Sequence, residues 1–257
     1  MARYRHSELA VRLRRRSNLP QQEPGIAWAR LGERHEKDRA RNDVLELLTA
    51  DAFRTKKLRI LTFPGIWWEF ERLLIAQRIG MRPGGDLALR FRRLHIVALE
   101  REETIFRAAV ANMPRFGTIR IVETPTFATA AVKTECIQRF FRTSFEDYVL
   151  RENATPGVAP RQCFDAAWLD FNGHIGPRRL EAIGQFWNNQ LRRLLVVTLL
   201  NGRTHPDVGA LISAHGTVER MLEAHLPGAC CERAMYYGDG APMVQVVLRK
   251  SGAFASP

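Results

Sequence analysis

The chain has 257 residues, of which 46% are hydrophobic, 26% charged and 9% aromatic; this balance excludes a wholly disordered chain or a fibrous repeat and suits one large domain with a sizeable core. With 39 Lys and Arg against 27 Asp and Glu the formal net charge is +12, an excess that points to a polyanionic partner and carries no information about fold. Cys136, Cys163, Cys230 and Cys231 include no CxxC pair, which argues against a zinc site or a disulfide framework, and no apolar run approaches the roughly 18–20 residues of a membrane span. The expectation is a protein of a reducing, cytoplasmic compartment, with no metal and no membrane partner.

The first 57 residues are a compositional zone of their own. They hold 14 Lys or Arg against 8 Asp or Glu, which is +6, half of the net charge. Arg12, Arg14, Arg15 and Arg16 cluster ahead of the breaker run Asn18-Leu19-Pro20, and the charged stretch from Ile26 to Phe53 carries apolar residues at Leu31, Val44, Leu45, Leu47 and Leu48. This reads as a basic, largely helical extension over 1–57, ahead of an α/β unit over 58–257. Two uses of the extension stay open: a solvated, salt-bridged helical face, or an arm whose Arg12, Arg14, Arg15 and Arg16 contact nucleic acid.

From residue 58 short apolar runs alternate with longer amphipathic stretches, the sign of strand–helix units. Leu58–Phe63 predicts a buried strand closed by Pro64-Gly65, and Ile66–Ile79, with Trp67, Phe70, Leu73 and Leu74 at helical spacing, predicts the helix behind it. Leu94–Leu99 predicts a second strand ending at Glu100, Glu102–Ala111 a helix, Thr118–Val122 a third strand, and Phe127–Leu150 a mostly helical connection. Phe164–Asp170 predicts a fourth strand, followed by Phe171-Asn172-Gly173 and a helix over Pro177–Gln190 with Pro177 in its first turn. Leu194–Leu200 is the fifth strand and Val208–Ala224 a helix stopped by Pro227-Gly228. Cys231–Tyr237 and Met243–Leu248 then make an antiparallel hairpin about Gly238-Asp239-Gly240-Ala241-Pro242.

Five strand–helix units and a final hairpin predict an α/β, Rossmann-like, mostly parallel seven-stranded sheet with a C-terminal antiparallel β-hairpin, preceded by the basic helical arm. This order resembles the class I S-adenosylmethionine-dependent methyltransferase fold, whose last strand is inserted antiparallel beside the sixth. The resemblance spans about residues 58–250 and rests on element order and strand-end residues; no GxGxxG follows the first strand, as a dinucleotide-binding domain would more often show.

The resemblance implies S-adenosylmethionine as cofactor and gives roles to strand-end residues. Pro64 and Gly65 stand where the family has its glycine-rich loop, although only one glycine is present here. Glu100 matches the acid that accepts from both ribose hydroxyls, Glu123 the residue near the adenine amino group, and Asp170 and Asn172 the substrate-facing pair. Structural readings stand beside each: Trp67 and Trp68 as core residues of the first helix, Glu100 as a first-turn acid, Asp170 as the start of an Asx turn. The two prolines that base N-methyltransferases carry after this Asp or Asn are missing, which argues against amino methylation of DNA bases and leaves the acceptor atom open. Neither an HExxH, a GxSxG nor a GxxxxGK[ST] motif occurs. The function expected is a methyltransferase-like protein acting on nucleic acid, DNA or RNA; the alternative is a cofactor-less protein of the same fold that holds nucleic acid within a larger assembly.

Overall fold

The first predicted strand shows why a parallel sheet forms. β1 (Lys57–Thr62) is buried on both faces over its second half, as a strand covered from both sides must be. In a computed structural model the described residues are 39–48, 57–65, 68–77, 79–81, 87–89, 93–114, 118–122, 136–153, 164–171, 173, 175–200, 204–238 and 242–251. Within them lie β2 (Ile79–Met81), β3 (Leu87–Leu89), β4 (Arg93–Glu100), β5 (Thr118–Val122), β6 (Cys136–Arg142), β7 (Phe164–Asp170), β8 (Leu191–Leu200), β9 (Ala229–Gly238) and β10 (Pro242–Lys250). The helices are α1 (residues 39–48), α2 (Glu69–Gln77), α3 (Glu103–Asn112), α4 (Phe145–Asn153), α5 (Pro177–Asn189), α6 (Pro206–His215) and α7 (Val218–His225).

Eight strands form one sheet in the order β5-β6-β4-β1-β7-β8-β10-β9, and β2 and β3 make a separate antiparallel pair. From β5 to β8 all pairings are parallel, whereas β10 runs antiparallel to both β8 and β9. The last strand is therefore inserted between the fifth and sixth strands of the expected seven, and the sheet has the class I methyltransferase order with one strand added at an edge.

That added strand corrects the expected third one. Thr118–Val122 lies at the sheet's outer edge, and the strand beside β4 is β6, inside the stretch expected to be helical. Ile137, Phe140 and Phe141 sit at helical spacing, which misleads; in the fold Phe140 and Phe141 are buried on opposite faces, Phe140 against Trp68 and Phe106, Phe141 against Tyr148. The helix expected over 208–224 is likewise two helices. Gly216, at φ +84, ends α6 in a conformation a side chain rarely adopts, and Thr217 caps α7 by accepting the Arg220 N–H (3.4 Å).

Strand parity divides the core in two. On one face Leu58, Ile60, Leu94, Ile96, Phe140, Trp168 and Val196 pack under α1, α2 and α3; on the other Leu61, Val97, Leu99, Phe141, Leu169 and Val197 pack under α4 to α7. α1 belongs to the first face through Val44, Leu45 and Leu48. A buried polar line ties it there: Trp168 Nε1 donates to Thr198 Oγ1 (3.3 Å), Thr198 Oγ1 to Gln245 Oε1 (3.4 Å), and Gln245 Nε2 to the Ala40 carbonyl (3.3 Å). Among the described residues no helix is long and apolar enough to cross a membrane.

Candidate functional site

From β1 the chain builds outward to β4 and β6 on one side and later returns to β7 on the other, so the strand order reverses between β1 and β7. A sheet of this kind leaves a crevice at the carboxyl ends of these strands. The loop that leaves β1 carries two left-handed residues, Gly65 at φ +56 and Trp68 at φ 55. Gly65 has open space around it, with nothing within 4 Å of where a Cβ would stand. For a bulky residue such as Trp68 this conformation costs about 1–2 kcal/mol, and the surroundings hold it there. Its Nε1 donates to the Ala109 carbonyl (2.8 Å), its backbone N–H to the Pro64 carbonyl (3.2 Å), and its ring meets Phe140 edge-on at 5.0 Å. Trp68 is thus a core residue at the start of α2; Trp67 lies outside the described residues.

Parity puts Thr62, Glu100 and Asp170 on the face of α1 to α3, the side to which this loop leads. Glu100 closes β4 and takes part in starting α3, since its Oε1 accepts the Glu102 N–H (2.8 Å). Burial raises its carboxyl above the usual range, and the backbone N–H groups of Glu102 and Arg101 oppose that shift. A carboxylate has about four lone-pair sites, so the local bond leaves capacity for a ligand's hydroxyls. Asp170 is partly buried at the end of β7, in register with Thr198. Thr62 Oγ1 donates to Glu71 Oε1 (2.5 Å), and Glu71, on α2, is only 1% exposed.

Sequence reasoning missed Glu71. It lies three residues after Trp68 and three before Leu74, both fully buried, so an acid interrupts the helix's apolar stripe; that misplaced charge was the available signal.

The opposite face of the same edge is aromatic. Phe63 meets Phe171 edge-on at 5.2 Å and Phe145 at 6.1 Å, and the Arg179 guanidinium lies 4.3 Å from the Phe171 ring centre. Arg179 Nε also donates to Glu146 (2.7 Å), and Arg178 pairs with Asp147 (3.0 Å), which fastens α5 to α4. Near this seam a cavity of about 530 Å³ is lined by Arg101, Arg142, Thr143, Ser144, Glu146, Asp147 and Arg178. Ser144 caps α4 by accepting the Asp147 N–H (3.0 Å), and Arg142 pairs with Glu103 (3.2 Å).

The structure therefore brings Pro64, Gly65, Glu100 and Asp170 to one edge of the sheet. None of them lines that cavity. Glu123, Asn172 and the cluster Arg12, Arg14, Arg15 and Arg16 lie outside the described residues. Glu123 follows the outer strand β5, whereas the residues that follow β4's neighbour are Thr143 and Ser144. Among the described residues no cluster of His, Cys, Asp and Glu could hold a metal ion.

The architecture is a class I methyltransferase-like fold, on the evidence of its own strand order. No protein-family model and no curated protein matches the chain. Among solved structures it is similar to an O-methyltransferase from Bacillus cereus in complex with SAH, at 13% identity and a TM-score of 0.46, over 95% of this chain and 90% of that one. It is also similar to a SAM-dependent methyltransferase from Methanosarcina mazei, at 9% identity and a TM-score of 0.40, over 76% of this chain and 93% of that one.

Proposed function

We propose that the chain is an S-adenosylmethionine-dependent methyltransferase whose acceptor is a nucleic acid. One observation carries the reading: in a sheet of methyltransferase order, the strand that follows β1 in position closes on a part-buried carboxylate, Glu100, on the side to which the β1 loop leads. The residues at this edge fit the cofactor chemically. Glu100 offers acceptors to a ribose diol, Gly65 leaves its surroundings open for a ligand to approach the backbone, and the carboxylates of Glu100 and Asp170 suit a cationic ligand. The aromatic cluster of Phe63, Phe145 and Phe171 packs with the other face and does not compete for this space.

When bound, the cofactor supplies an electrophilic methyl group on a sulfonium centre. The chain's own part is mostly alignment, which can account for much of a transfer reaction. Glu100, with one oxygen fixed by the Glu102 N–H, accepts from the ribose. Asp170 orients the acceptor's N–H or O–H and accepts its proton as the lone pair is engaged. The nucleic-acid acceptor is supported by the net charge of +12, half of it within residues 1–57.

Calorimetric titration of S-adenosylmethionine into the purified chain tests the cofactor, with one site expected and no heat at millimolar ligand overturning it. Removing residues 1–20 tests the arm: if three of its arginines touch phosphate, the slope of log affinity against log salt falls by roughly 2–3 units, whereas an unchanged slope removes the arm from the contact. A second reading has its own observation, the cavity that Glu100, Gly65 and Asp170 do not line. In it the chain keeps the fold, binds no cofactor and holds nucleic acid within a larger assembly; the same titration separates the two.

A further inference from the structure

At the carboxyl ends of β4 and β6, toward α4 and α5, lies the cavity of about 530 Å³. Its cations come from three separate elements: Arg101 follows β4, Arg142 ends β6, and Arg178 stands in the first turn of α5. Thr143 and Ser144, which join β6 to α4, add two hydroxyls, and Glu146 and Asp147 complete the wall from the first turn of α4. The volume suits a nucleotide-sized ligand. No aromatic or aliphatic side chain on which a base could stack lines it, so its chemistry favours the sugar–phosphate part of a nucleotide over the base.

The two acids of the wall are engaged by arginines. Glu146 is held by Arg179 (2.7 Å), in a pair whose side chains are only 14% and 22% exposed, and Asp147 accepts from Arg178 (3.0 Å). Arg142 in turn pairs with Glu103 of α3 (3.2 Å). The pairs of Arg142 and Arg178 are part-exposed, so sharing these cations with a ligand costs little. A guanidinium has five N–H donors in a planar fork, and the single contact of Arg178 to Asp147 does not exhaust them. Arg101 is exposed, and no hydrogen bond or ion pair among the described residues engages its guanidinium, although its charge acts on the neighbouring Glu100. The Ser144 hydroxyl accepts the Asp147 N–H (3.0 Å), which leaves its own proton to donate.

We infer that this cavity binds a phosphoryl group of the nucleic-acid acceptor, taken up by Arg101, Arg142 and Arg178 together with the Ser144 hydroxyl. The inference rests on the nucleic-acid reading above and adds a place to it. Register sets Asp170, Glu100 and Arg142 in line across the sheet, and three strand spacings of about 4.8 Å put β6 roughly 14 Å from β7. With Asp170 at the acceptor atom, the phosphate held beside Arg142 belongs to a flanking nucleotide rather than to the one that is methylated. Arginine suits the contact because its fork meets phosphate oxygens in pairs, and such a contact positions the strand without reading its sequence.

The test uses the full chain without S-adenosylmethionine and a fluorescent single-stranded oligonucleotide of about 15 nucleotides, in RNA and DNA forms, titrated by anisotropy at several salt concentrations. Arg101→Gln is expected to weaken binding about tenfold and to lower the slope of log affinity against log salt by about 0.7. Arg220→Gln removes the same charge from an exposed position on α7, outside the cavity, and should change neither. Asp147→Asn takes an acid from the wall and should tighten binding. Adenosine monophosphate should displace the oligonucleotide at concentrations where adenosine does not. Arg101 is exposed and lies outside any helix or strand, so its variant is expected to fold as the parent does; circular dichroism checks all three variants. Equal effects of Arg101→Gln and Arg220→Gln, weaker binding in Asp147→Asn, or equal displacement by nucleoside and nucleotide would overturn the proposal. If the parent binds neither oligonucleotide, the nucleic-acid reading falls with it; if the parent binds and Arg101→Gln binds equally well, only the cavity does. The calorimetric result for the cofactor is independent of both.

Discussion

β1 and β4 begin on cations, Lys57 beside Arg93 and Arg59 beside the neutral imidazole of His95, while β4 and β7 finish on carboxylates, Glu100 and Asp170, on the other face. In a parallel sheet every strand start lies along one edge and every strand end along the other. A residue type repeated at one end of several strands therefore builds a continuous zone of one sign without any two of them being neighbours in sequence. The carboxyl zone is stitched into local structure, Glu100 to the Glu102 N–H and Thr62 to Glu71. The cationic zone sits on one face of the strand starts, where Lys57, Arg59, Arg93 and Arg139 lower the pKa of the part-buried His95. The two ends of one set of strands thus differ in charge, with the core between them shared.

The largest expected effect breaks both zones together. Phe186 is fully buried on α5, against Phe145 and Phe164, and Phe186→Ala should cost about 3–5 kcal/mol in chemical denaturation while lowering cofactor and oligonucleotide binding alike. Loss of one binding activity with the other intact would show that the two sites do not share this core. Next comes Thr62→Val, which takes from the buried Glu71 carboxylate a donor at 2.5 Å. A loss of about 1–3 kcal/mol is expected, measured by urea unfolding, and a variant as stable as the parent would mean that Glu71 is satisfied elsewhere.

Glu100→Ala acts on the carboxyl zone alone. Losing charge-assisted bonds to two hydroxyls should raise the dissociation constant for S-adenosylmethionine about 30-fold, roughly 2 kcal/mol, with the salt slope for oligonucleotide unchanged. An unaltered constant in the folded variant returns Glu100 to its place at the start of α3.

The pH dependence of stability separates the zones by sign. In the fold His95 stays unprotonated down to about 4, against 6.5 ordinarily, so between these values the unfolded chain binds the extra proton and stability falls as the pH drops through that window. Glu100 works the opposite way: its raised pKa makes the fold the better proton binder above 4.5, a contribution lost as the pH rises through the raised value. Melting curves across this range should show a shallower acid-side loss in His95→Gln and a steeper one in Glu100→Gln. Parallel profiles in all three proteins would assign the pH dependence to other groups. The smallest effect belongs to Arg178→Ala, whose ion pair with Asp147 is 67% and 37% exposed; a change within about 1 kcal/mol in thermal unfolding is expected, and a larger one would give the α4–α5 seam a structural weight its exposure does not suggest.

Much of the sheet was legible because its strands are short apolar runs set between breakers. Leu58–Thr62, Leu94–Leu99, Phe164–Asp170 and Leu194–Leu200 all fall on observed strands, and the two expected hairpin strands fall on β9 and β10. β6 was not legible. Its two aromatic residues are consecutive and buried on opposite faces, so it shows neither a strand's alternation nor a breaker at its start, and only its neighbours β4 and β5 make it a strand. At the site, Glu100 and Asp170 were readable as acids closing apolar strands. Glu71 was not, because an acid on a helix reads as solvent-facing until Trp68 and Leu74 are seen buried on either side of it.

The alternation of strands and helices, the final hairpin, the basic N-terminal zone and the residues that close the strands follow from local periodicity, turn chemistry or charge content. Long-range packing sets β6 rather than Thr118–Val122 beside β4, Thr62 against a buried Glu71, and Lys57, Arg59, Arg93, His95 and Arg139 on one face. Those facts turn on which strands lie side by side and in what register. Pairing between residues 36 and 42 positions apart in the chain is set by how the whole sheet closes over its two cores, and no short window of sequence contains that information.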